Sequence, residues 1–280
     1  MSIVFYNSEY VDSSDVKISP ENRSLNYGDG FFESIKIINS KPFNFSAHFN
    51  RFTLACKTLK MNNAFSKKEI VLIIEQLISK NEIVNGALKM HVSRIEGGKY
   101  CPKSSAMYLL ISTSEGDIFV LNNKESLCFY NEEVKSKGKL SNIKSANALV
   151  SVMSSIFANE KEFSNSILFN SDGNIIETSN SNIFILKNGE LFTPPTSDGC
   201  VEGTMRSWVL SQLKVTERSL SVSDINNASE IFTTNAINGI SSVDKVGEQL
   251  FSEFDIANKL QVRLLELTSI QMGANKKGMP

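Results

Sequence analysis

Residues 88–93 alternate between apolar and polar side chains, and this alternation constrains the fold more strongly than any other feature of the sequence. Leu88, Met90 and Val92 are the apolar residues, and those between them are polar. Successive side chains of a β-strand point to opposite faces of its sheet, so a period of two predicts a strand with one buried face. The first part of the chain is therefore expected to form a sheet that is covered on one side.

Other segments of the first hundred residues carry related signals. In residues 46–59, Phe49, Phe52 and Cys56 recur at helical spacing, which predicts an amphipathic helix. Together these segments predict an α+β unit. Its predicted strands are residues 3–6, 31–38, 87–93 and 107–112, and its predicted helices are residues 46–59 and 67–79.

The second half of the chain predicts a unit that is richer in strands. The apolar content drops near residues 114–121, where we place a domain boundary, so the predicted domains are residues 1–116 and 122–280. The Gly-containing turns 171–174 and 187–190 stand between apolar runs and predict two hairpins. Helices are predicted at residues 148–157, 204–213 and about 254–267, and the tail 273–280 is expected to fray.

The composition favours a small-molecule partner. With 280 residues and 41% hydrophobic content, the chain can bury one large core or two modest ones, and its length favours two domains. The net charge of -1 provides no broad field for nucleic acid or an anionic membrane, so neither partner is expected. The four cysteines lack metal-ligand or disulfide spacing, and no targeting or membrane-spanning segment is visible. We therefore predict a cytoplasmic protein with reduced thiols and no metal site.

Lys144 and Glu177 have the clearest chemical implication of any pair in the chain. Lys144 precedes an apolar helical pattern, and Glu177 follows the apolar pair Ile175-Ile176. An amine and a carboxylate are what pyridoxal phosphate (PLP) requires of a protein. The amine forms an imine with the cofactor aldehyde, and the carboxylate keeps the pyridine nitrogen protonated. The spacing alone does not establish these roles, because most lysines are solvated surface residues.

Four motifs make the chain resemble a known family. They are Asn26-Tyr27-Gly28-Asp29-Gly30-Phe31-Phe32-Glu33, His48-Phe49-Asn50-Arg51, the segments around Lys144 and Glu177, and Gly199-Cys200-Val201-Glu202-Gly203-Thr204-Met205-Arg206. Together they span most of the chain and are similar to those of class IV aminotransferases, PLP enzymes of fold type IV. The resemblance implies an α+β / α/β fold of two domains: an N-terminal α/β sandwich and a C-terminal β-rich, barrel-like domain with flanking helices. It also implies a homodimer, with PLP bound between the domains.

The resemblance further implies cofactor roles for particular residues. Lys144 would hold the resting cofactor and move the proton at the substrate carbon, and Glu177 would face the pyridine nitrogen. Arg51 would bind the phosphate, for which a planar guanidinium is suited. Amides at the start of the helix after Gly203 would bind it too, because a helix N-terminus attracts anions. The other implied cofactor contacts are Ser181, Asn182, Val201, Thr204, Met205, Asn235 and Ala236.

Several of these residues also have a structural explanation. Ser181 and Asn182 either line the ring or satisfy a tight backbone turn, and Arg51 can form an ordinary ion pair. Ala236 stands where many class IV aminotransferases supply a threonine to the phosphate. Only backbone amides could serve at that point, and this departure resembles the aminodeoxychorismate lyase branch of the family.

The predicted substrate contacts lie in two segments. Residues 94–100 form a Gly-containing loop after a strand, where Arg94 or Lys99 can meet a substrate carboxylate, although a solvated hairpin tip fits equally well. Lys99 stands where the lyase-like pattern has an arginine, and one glycine of that pattern is missing. Tyr27 and Phe32, in the first glycine motif, either line the pocket or pack in the core.

The sequence thus predicts a PLP-dependent class IV aminotransferase that transfers an amino group from a small amino acid to a 2-oxo acid. The first alternative is 4-amino-4-deoxychorismate lyase, which uses the same cofactor to release pyruvate and 4-aminobenzoate from an amino-chorismate substrate. The second is a non-catalytic relative that binds a phosphorylated ligand. Such a relative would need neither Lys144 nor Glu177, which makes it the weaker alternative.

Overall fold

The computed structural model describes residues 2–273, with side chains through residue 269. Of the tail that we expect to fray, only Gly273 lies among these residues. The chain divides into two compact units. The first contains the residues through Ile118 together with Ile143–Asn147, and the second contains Phe119–Asn142 and the residues from Ala148 onward. No helix of the described part is long and apolar enough to cross a membrane.

The first unit is built on a six-stranded sheet in which every pairing is antiparallel. The strands follow the spatial order β2-β1-β6-β5-β3-β4. They are β1 (Ile3–Tyr6), β2 (Glu9–Asp12), β3 (Gly30–Ile38), β4 (Lys41–Pro42), β5 (Gly86–Arg94) and β6 (Met107–Glu115). Its helices are α1 (Arg23–Tyr27), α2 (Phe45–Thr58) and α3 (Lys67–Lys80), with a 3-10 turn at Ser13–Asp15.

One face of this sheet and the helices α2 and α3 enclose the core of the first unit. Ile35 and Leu88 on neighbouring strands are fully buried, as are Phe52 of α2 and Ile74 of α3. The predicted strand with one buried face is therefore confirmed, because every second side chain points into the core. Helix α3 also has a well-defined start, because Ser66 at its N-cap forms a capping box with the third helical residue.

The second unit contains a nine-stranded mixed sheet that curls into a half-barrel. The spatial order is β12-β11-β10-β13-β14-β7-β8-β9, with β15 paired to β14, and the pairs β11–β12, β14–β7 and β7–β8 are parallel. The strands are β7 (Lys124–Phe129), β8 (Asn165–Phe169), β9 (Ile175–Thr178), β10 (Asn182–Lys187), β11 (Glu190–Thr193), β12 (Thr216–Glu217), β13 (Glu230–Asn235), β14 (Gly239–Val246) and β15 (Gln249–Leu250). The helices are α4 (Lys139–Asn142), α5 (Leu149–Glu160), α6 (Thr204–Gln212), α7 (Val222–Asn226) and α8 (Asp255–Gly273), with a 3-10 turn at Thr196–Asp198.

The structure confirms most of the predicted elements, including both hairpins, which are β8–β9 and β10–β11. It adds one long strand that the sequence did not predict, β14. Ser241 and Ser242 of this strand are both buried, so polar residues occupy interior positions and the alternation that marks a half-buried strand is absent.

The segment that carries Lys144 belongs with the first unit, whereas the boundary predicted from the sequence places it in the second domain. Its backbone continues the first sheet beside β3. The Phe32 amide donates to the Lys144 carbonyl at 2.9 Å, and the Ala146 amide donates to the Gly30 carbonyl at the same distance. These bonds join residues more than a hundred positions apart, which no local pattern predicts.

Candidate active site

Lys144 is held by the backbone of β3 and carries its amine next to Phe32. Its carbonyl accepts a hydrogen bond from the Phe32 amide, and the following residue, Ser145, forms a bridge with Phe31. Lys144 Nζ lies 4.8 Å from the centroid of the Phe32 ring, and the side chain is half-buried. An ammonium over an aromatic face is attracted by the ring quadrupole. The hydrogen bonds to β3 thus fix the position of the Lys144 backbone, from which the side chain extends.

Arg51 lies in a buried cluster with Glu33 and His48. Arg51 Nε donates to Glu33 Oε1 at 2.7 Å and Arg51 Nη2 donates to Oε2 at 2.6 Å, which is the bidentate geometry that a guanidinium favours. His48 Nδ1 is 2.7 Å from Glu33 Oε2. Since Glu33 belongs to β3 and the other two to α2, the cluster ties the helix to the sheet and fixes the orientation of the guanidinium.

The pKa values in this cluster follow from burial and charge together. Burial raises the pKa of the Glu33 carboxyl, but the charge of Arg51 and the hydrogen bonds from Arg51 and His48 outweigh it and lower the pKa to about 2. Burial is also the largest effect on His48 and lowers its pKa, despite the opposing influence of Glu33. The positive charges of Arg51 and Lys144 lower the His48 pKa further. Glu33 is thus a carboxylate at neutral pH, while His48 is a neutral imidazole.

Glu177 is a buried carboxylate in the second unit, and both of its oxygens are engaged. Its Oε1 accepts from Lys135 Nζ, and its Oε2 accepts from the Val201 amide at 2.8 Å. The side chain of Lys135 is 19% exposed and that of Glu177 only 7%. A carboxylate has about four lone-pair positions, so these two bonds leave room for a further N–H donor. Glu177 can therefore accept from a protonated ring nitrogen without losing its protein partners.

Val201 connects Glu177 with Asn182 through its backbone. While its amide donates to Glu177, its carbonyl accepts from Asn182 Nδ2 at 2.9 Å. The neighbouring Gly203 is the N-cap of α6, and a Cβ added to it would lie 1.9 Å from Asn182 Oδ1. Any other residue at this position would have to displace the Asn182 side chain. The chain thus brings the Asn182 side chain directly against the start of α6.

The start of α6 has the properties of an anion site. Its N-cap, Gly203, has no side chain to accept from the first helical amides, which belong to Thr204 and Met205. Thr234 on β13 pairs with Asn182 on β10, so their side chains share one face of the sheet. The Thr234 hydroxyl is buried and has no hydrogen-bond partner among the residues that the structure describes. An unsatisfied buried hydroxyl is costly unless a ligand supplies a partner.

The ends of β10 and β13 carry the other predicted cofactor contacts. Ser181 lies just before β10, Asn235 ends β13, and Ala236 follows it. Ser181 Oγ donates to Asn180 Oδ1 at 2.7 Å and accepts from Asn235 Nδ2 at 2.9 Å. Asn235 Oδ1 in turn accepts from the Ile237 and Asn238 amides. Asn235 therefore shapes the turn that contains Ala236, which is half-buried. The Ser181 amide donates to Thr178 Oγ1 at 3.1 Å, the kind of bond that satisfies a tight turn, whereas the Asn182 side chain donates to the Val201 carbonyl instead.

Arg94, one of two basic residues predicted to meet the substrate, is enclosed by the first unit. It is 5% exposed and pairs with Asp29 at 2.9 Å. Its two remaining nitrogens donate to the carbonyls of Leu59 and Lys60, just beyond α2, at 2.5 and 3.2 Å. Two of the three guanidinium nitrogens thus hold the strand against the end of the helix, and the third is paired with Asp29. This arrangement favours a structural role for Arg94.

Lys99, the other basic residue, lies in an exposed loop that a buried arginine holds in place. Arg23 Nη1 donates to the Gly98 and Lys99 carbonyls at 3.1 and 2.6 Å, and its guanidinium carbon lies 5.0 Å from the centroid of the Tyr27 ring. The Tyr27 ring, which is 44% exposed, in turn packs against Tyr100 with centroids 5.7 Å apart. The Lys99 side chain itself is exposed, so it remains accessible to a solute.

Comparison with known proteins decides the family. The sequence model described as amino-transferase class IV matches residues 30–246, which is most of the chain. The chain belongs to the class IV aminotransferases. It is 27% identical over 243 residues to an assigned branched-chain-amino-acid aminotransferase of Methanocaldococcus jannaschii, covering 82% of this chain and 83% of that protein. It is 22% identical over 258 residues to the D-alanine aminotransferase of Staphylococcus haemolyticus, covering 89% and 91%.

Solved structures confirm that this class IV chain has fold type IV. The branched-chain aminotransferase of Thermoproteus uzoniensis superposes with a TM-score of 0.89 at 19% identity, covering 95% of this chain and 94% of the other. The 4-amino-4-deoxychorismate lyase of Pseudomonas aeruginosa superposes with a TM-score of 0.81 at 21% identity, covering 94% and 98%. A further branched-chain aminotransferase, solved with pyridoxamine 5'-phosphate, has a TM-score of 0.87 at 18% identity, covering 95% and 94%. The predicted mixed α+β architecture with a barrel-like second sheet is therefore correct.

Class IV aminotransferases are PLP enzymes, and the residues of this class IV chain fit that cofactor. The unsatisfied Thr234 hydroxyl suits a phosphate. The start of α6 suits one too, because its N-cap is a glycine without a side chain and a helix N-terminus attracts anions. Glu177 retains acceptor capacity for a pyridinium N–H. Among the described residues no group of His, Cys, Asp and Glu could hold a metal ion.

Sequence reasoning missed two charged residues that matter in this geometry, Glu33 and Lys135. Glu33 stands inside the first glycine motif, and the combination of a buried-strand carboxylate with HxxR on the next helix is a signal that could have identified it. Lys135 offers no such signal. It lies nine positions before Lys144 in a polar segment, and only the folded chain brings it to Glu177.

Proposed function

We propose that this protein is a PLP-dependent aminotransferase that transfers an amino group from a small amino acid to a 2-oxo acid. One observation carries the proposal: a buried carboxylate, Glu177, is oriented by Lys135 and by the Val201 amide and can still accept a hydrogen bond. A protein that merely bound a phosphorylated ligand would have no use for such a group. Together with the amine of Lys144, it meets the two chemical requirements of the cofactor.

The residues divide the work as follows. When bound, PLP supplies an electron-accepting ring that stabilises negative charge at the substrate α-carbon. Lys144 would hold the cofactor through its amine and would move the proton at that carbon. Glu177 holds a proton on the ring nitrogen. Arg51 and the backbone amides of Thr204, Met205, Asn235 and Ala236 bind the phosphate, while Ser181, Asn182 and Val201 line the ring.

For the substrate, we retain Tyr27, Phe32 and Lys99 as proposed contacts. Tyr27 and Lys99 are exposed, and Phe32 is half-buried next to the Lys144 amine. Arg94 is a weaker candidate than Lys99, because its guanidinium is already committed to Asp29 and to two carbonyls.

The test is whether Lys144 binds PLP covalently and is needed for amino transfer. The purified protein should show a PLP absorbance band, and borohydride reduction should leave the pyridoxyl group on the peptide that contains Lys144. Lys144→Met should lose the band and lower turnover by a factor of about 1,000. Lys139→Met, at an exposed position on α4, should change neither. Retention of turnover in Lys144→Met would refute the proposal.

The second candidate function is 4-amino-4-deoxychorismate lyase. The observation in its favour is the turn 235–238, where Ala236 offers no hydroxyl and Asn235 accepts from two amides of the turn. Incubation with 2-oxoglutarate and a panel of L- and D-amino acids separates the two functions. Amino transfer without release of pyruvate from aminodeoxychorismate supports the aminotransferase, and the reverse supports the lyase.

We also infer a cytoplasmic homodimer. The exposed residues Leu149, Val152, Met153 and Ile156 form an apolar stripe along α5, the kind of patch that marks an interface between proteins. All four cysteines of the chain are free thiols, which suits a reducing compartment. Sedimentation should give a dimer, and Val152→Glu should shift it towards a monomer. A monomeric wild-type protein would contradict this assignment.

A further inference from the structure

Asn165 is a buried residue of the second unit that the proposed chemistry leaves without a role. It begins β8, and its side chain contacts three consecutive residues of the turn 178–181, which joins β9 to β10. Asn165 Nδ2 donates to Thr178 Oγ1 at 3.1 Å and to Asn180 Oδ1 at 3.0 Å. Asn165 Oδ1 accepts from the Ser179 hydroxyl. One side chain thus holds three neighbouring residues of this turn in place.

The backbone decides the orientation of the Asn165 side-chain amide. The backbone N–H of Ser166 can only donate, and its nitrogen is 2.9 Å from Asn165 Oδ1. Asn165 Nδ2 must therefore face the acceptors on Thr178 and Asn180. Both hydrogens of Nδ2 and both lone pairs of Oδ1 have protein partners in this arrangement. Since the Asn165 side chain is also only 2% exposed, it acts on a ligand only through the residues that it holds.

Three hydrogen bonds in series link Asn165 with the end of β13. Asn180 Oδ1 accepts from Asn165 and also from the Ser181 hydroxyl, the latter at 2.7 Å. Ser181 Oγ in turn accepts from Asn235 Nδ2 at 2.9 Å. Two backbone amides of the turn 235–238 donate to Asn235 Oδ1, so the orientation of this side chain is fixed as well. The direction of every bond in the series is therefore determined from both ends.

We propose that Asn165 is a positioning residue for the cofactor: it fixes the turn 178–181 and, through Asn180 and Ser181, the turn 235–238. This inference rests on the proposed function, which assigns ring and phosphate contacts to these two turns. In that assignment Ser181 lines the ring, and two amides of the second turn bind the phosphate. A site whose groups are held in place beforehand loses less conformational entropy when the ligand binds, and it therefore binds the ligand more tightly.

Asn165→Asp tests the proposal with a side chain of the same shape. The new carboxylate keeps the two hydrogen bonds that Asn165 accepts and loses the two that it donates. The dissociation constant for PLP, measured where the apo-protein is fully folded, should rise about tenfold. The phosphorus NMR resonance of bound PLP should also shift, because the amides of the turn 235–238 are no longer held in one position. A purely structural role would lower the stability and move neither quantity.

Asn180→Ala is a second variant that breaks the same series, and it stays informative if Asn165→Asp does not fold. Asn180 is exposed, so its truncation leaves the core intact. The substitution also introduces no charge beside Glu125, which lies next to Asn165. Asn180→Ala should likewise raise the dissociation constant for PLP about tenfold.

The double variant tests whether the two residues act through one path. If Asn165 acts through Asn180, the double variant Asn165→Asp/Asn180→Ala should bind PLP only about tenfold more weakly than the wild type, as each single variant does. Independent effects would multiply to about a hundredfold. A hundredfold rise in the dissociation constant would therefore overturn the proposed series.

Asn81 provides a matched control in the first unit. Its Nδ2 also donates two hydrogen bonds, to the Ile3 carbonyl at 2.7 Å and to Thr113 Oγ1 at 2.9 Å, and its Oδ1 accepts from the Ile3 amide at 2.8 Å. None of these residues is a proposed cofactor contact. Asn81→Asp should lower the free energy of unfolding but leave the dissociation constant for PLP unchanged. An equal rise of that constant in Asn81→Asp and Asn165→Asp would overturn the proposal.

These readouts separate failure of the inference from failure of the proposed function. If the wild-type protein binds no PLP, or if Lys144→Met retains turnover, the proposed function is wrong and the inference falls with it. If Lys144 is required but Asn165→Asp and Asn180→Ala bind PLP as tightly as the wild type, with an unchanged phosphorus resonance, the proposed function stands and Asn165 has no positioning role.

Discussion

Lys135 and Glu177 form an ion pair in the second unit although 42 positions separate them in the sequence. Lys135 Nζ also donates to the Ser141 carbonyl at 3.2 Å, so the ammonium is held from two sides. The Val201 amide holds the other oxygen of Glu177. Because each oxygen of Glu177 has its own partner, and the ammonium of Lys135 is itself held by Ser141, the carboxylate has a fixed orientation. A group that is to accept from a ring nitrogen needs such a fixed orientation.

Replacing Lys135 should therefore impair cofactor binding as well as stability. In Lys135→Met, the buried Glu177 carboxylate keeps only the Val201 amide, so the free energy of unfolding of the apo-protein should fall by about 2–3 kcal/mol. The dissociation constant for PLP should rise about tenfold, and Lys135→Arg should preserve most of the affinity. Chemical denaturation and PLP titration measure the two effects.

The pair Lys137–Asp172 supplies the control for this variant. Its side chains are 36% and 53% exposed, and surface pairs contribute at most about 1 kcal/mol. Lys137→Met should change neither stability nor PLP affinity appreciably. If Lys135→Met behaves like Lys137→Met, Lys135 has no positioning role.

Removing the Thr234 hydroxyl should weaken PLP binding without destabilising the apo-protein. The hydroxyl is buried without a partner, so Thr234→Val deletes an unsatisfied group and should leave the free energy of unfolding unchanged or raise it. The neighbouring Thr233 donates to Glu125 at 2.9 Å, and Thr233→Val should cost about 1–2 kcal/mol. The dissociation constant for PLP should rise more in Thr234→Val than in Thr233→Val. Equal destabilisation by both substitutions would mean that Thr234 has a partner within the fold.

The Glu33–Arg51 pair should make stability depend on acidic pH. The folded pKa of Glu33, about 2, lies below its ordinary value of 4.5, so the carboxylate contributes stability above about pH 4.5 and loses it as the pH falls towards 2. At pH 7, Glu33→Gln should cost about 3 kcal/mol, because it leaves the Arg51 charge buried without its partner. The difference from wild type should shrink below pH 4.5 in urea unfolding experiments. Glu82→Gln, at an exposed position, should have no effect at any pH.

Only one of the four thiols should react readily in the native protein. Cys101 is exposed, whereas Cys56, Cys128 and Cys200 are buried. Burial raises the pKa of Cys56 and Cys200 to about 12, and the Glu177 charge adds to the effect at Cys200. Since the thiolate is the reactive form, an aromatic disulfide reagent should titrate one thiol in buffer and four in denaturant. Rapid modification of a second thiol in buffer would contradict the burial of these side chains.

Local pattern predicted most of the secondary structure and failed where burial does not alternate. The helix over Phe45–Thr58 and the strand over Gly86–Arg94 match their predictions within a residue or two, because each has one apolar face. The strand Gly239–Val246 was missed, since its interior holds serines. For the site, motif resemblance singled out Lys144, Glu177 and Arg51, and their cofactor roles stay predictions until tested.

The sequence by itself determined the family, the two kinds of unit and the residue types available for chemistry, because periodicity and motifs are properties of neighbouring positions. Only the tertiary structure decided which charges meet. Glu33 reaches Arg51, Lys135 reaches Glu177, and Lys89 comes to the Phe32 ring beside Lys144. The tertiary structure also pairs Arg94 with Asp29. Strand register and backbone pairing between distant segments decide which side chains become neighbours. A buried polar group then forms its hydrogen bonds with those neighbours.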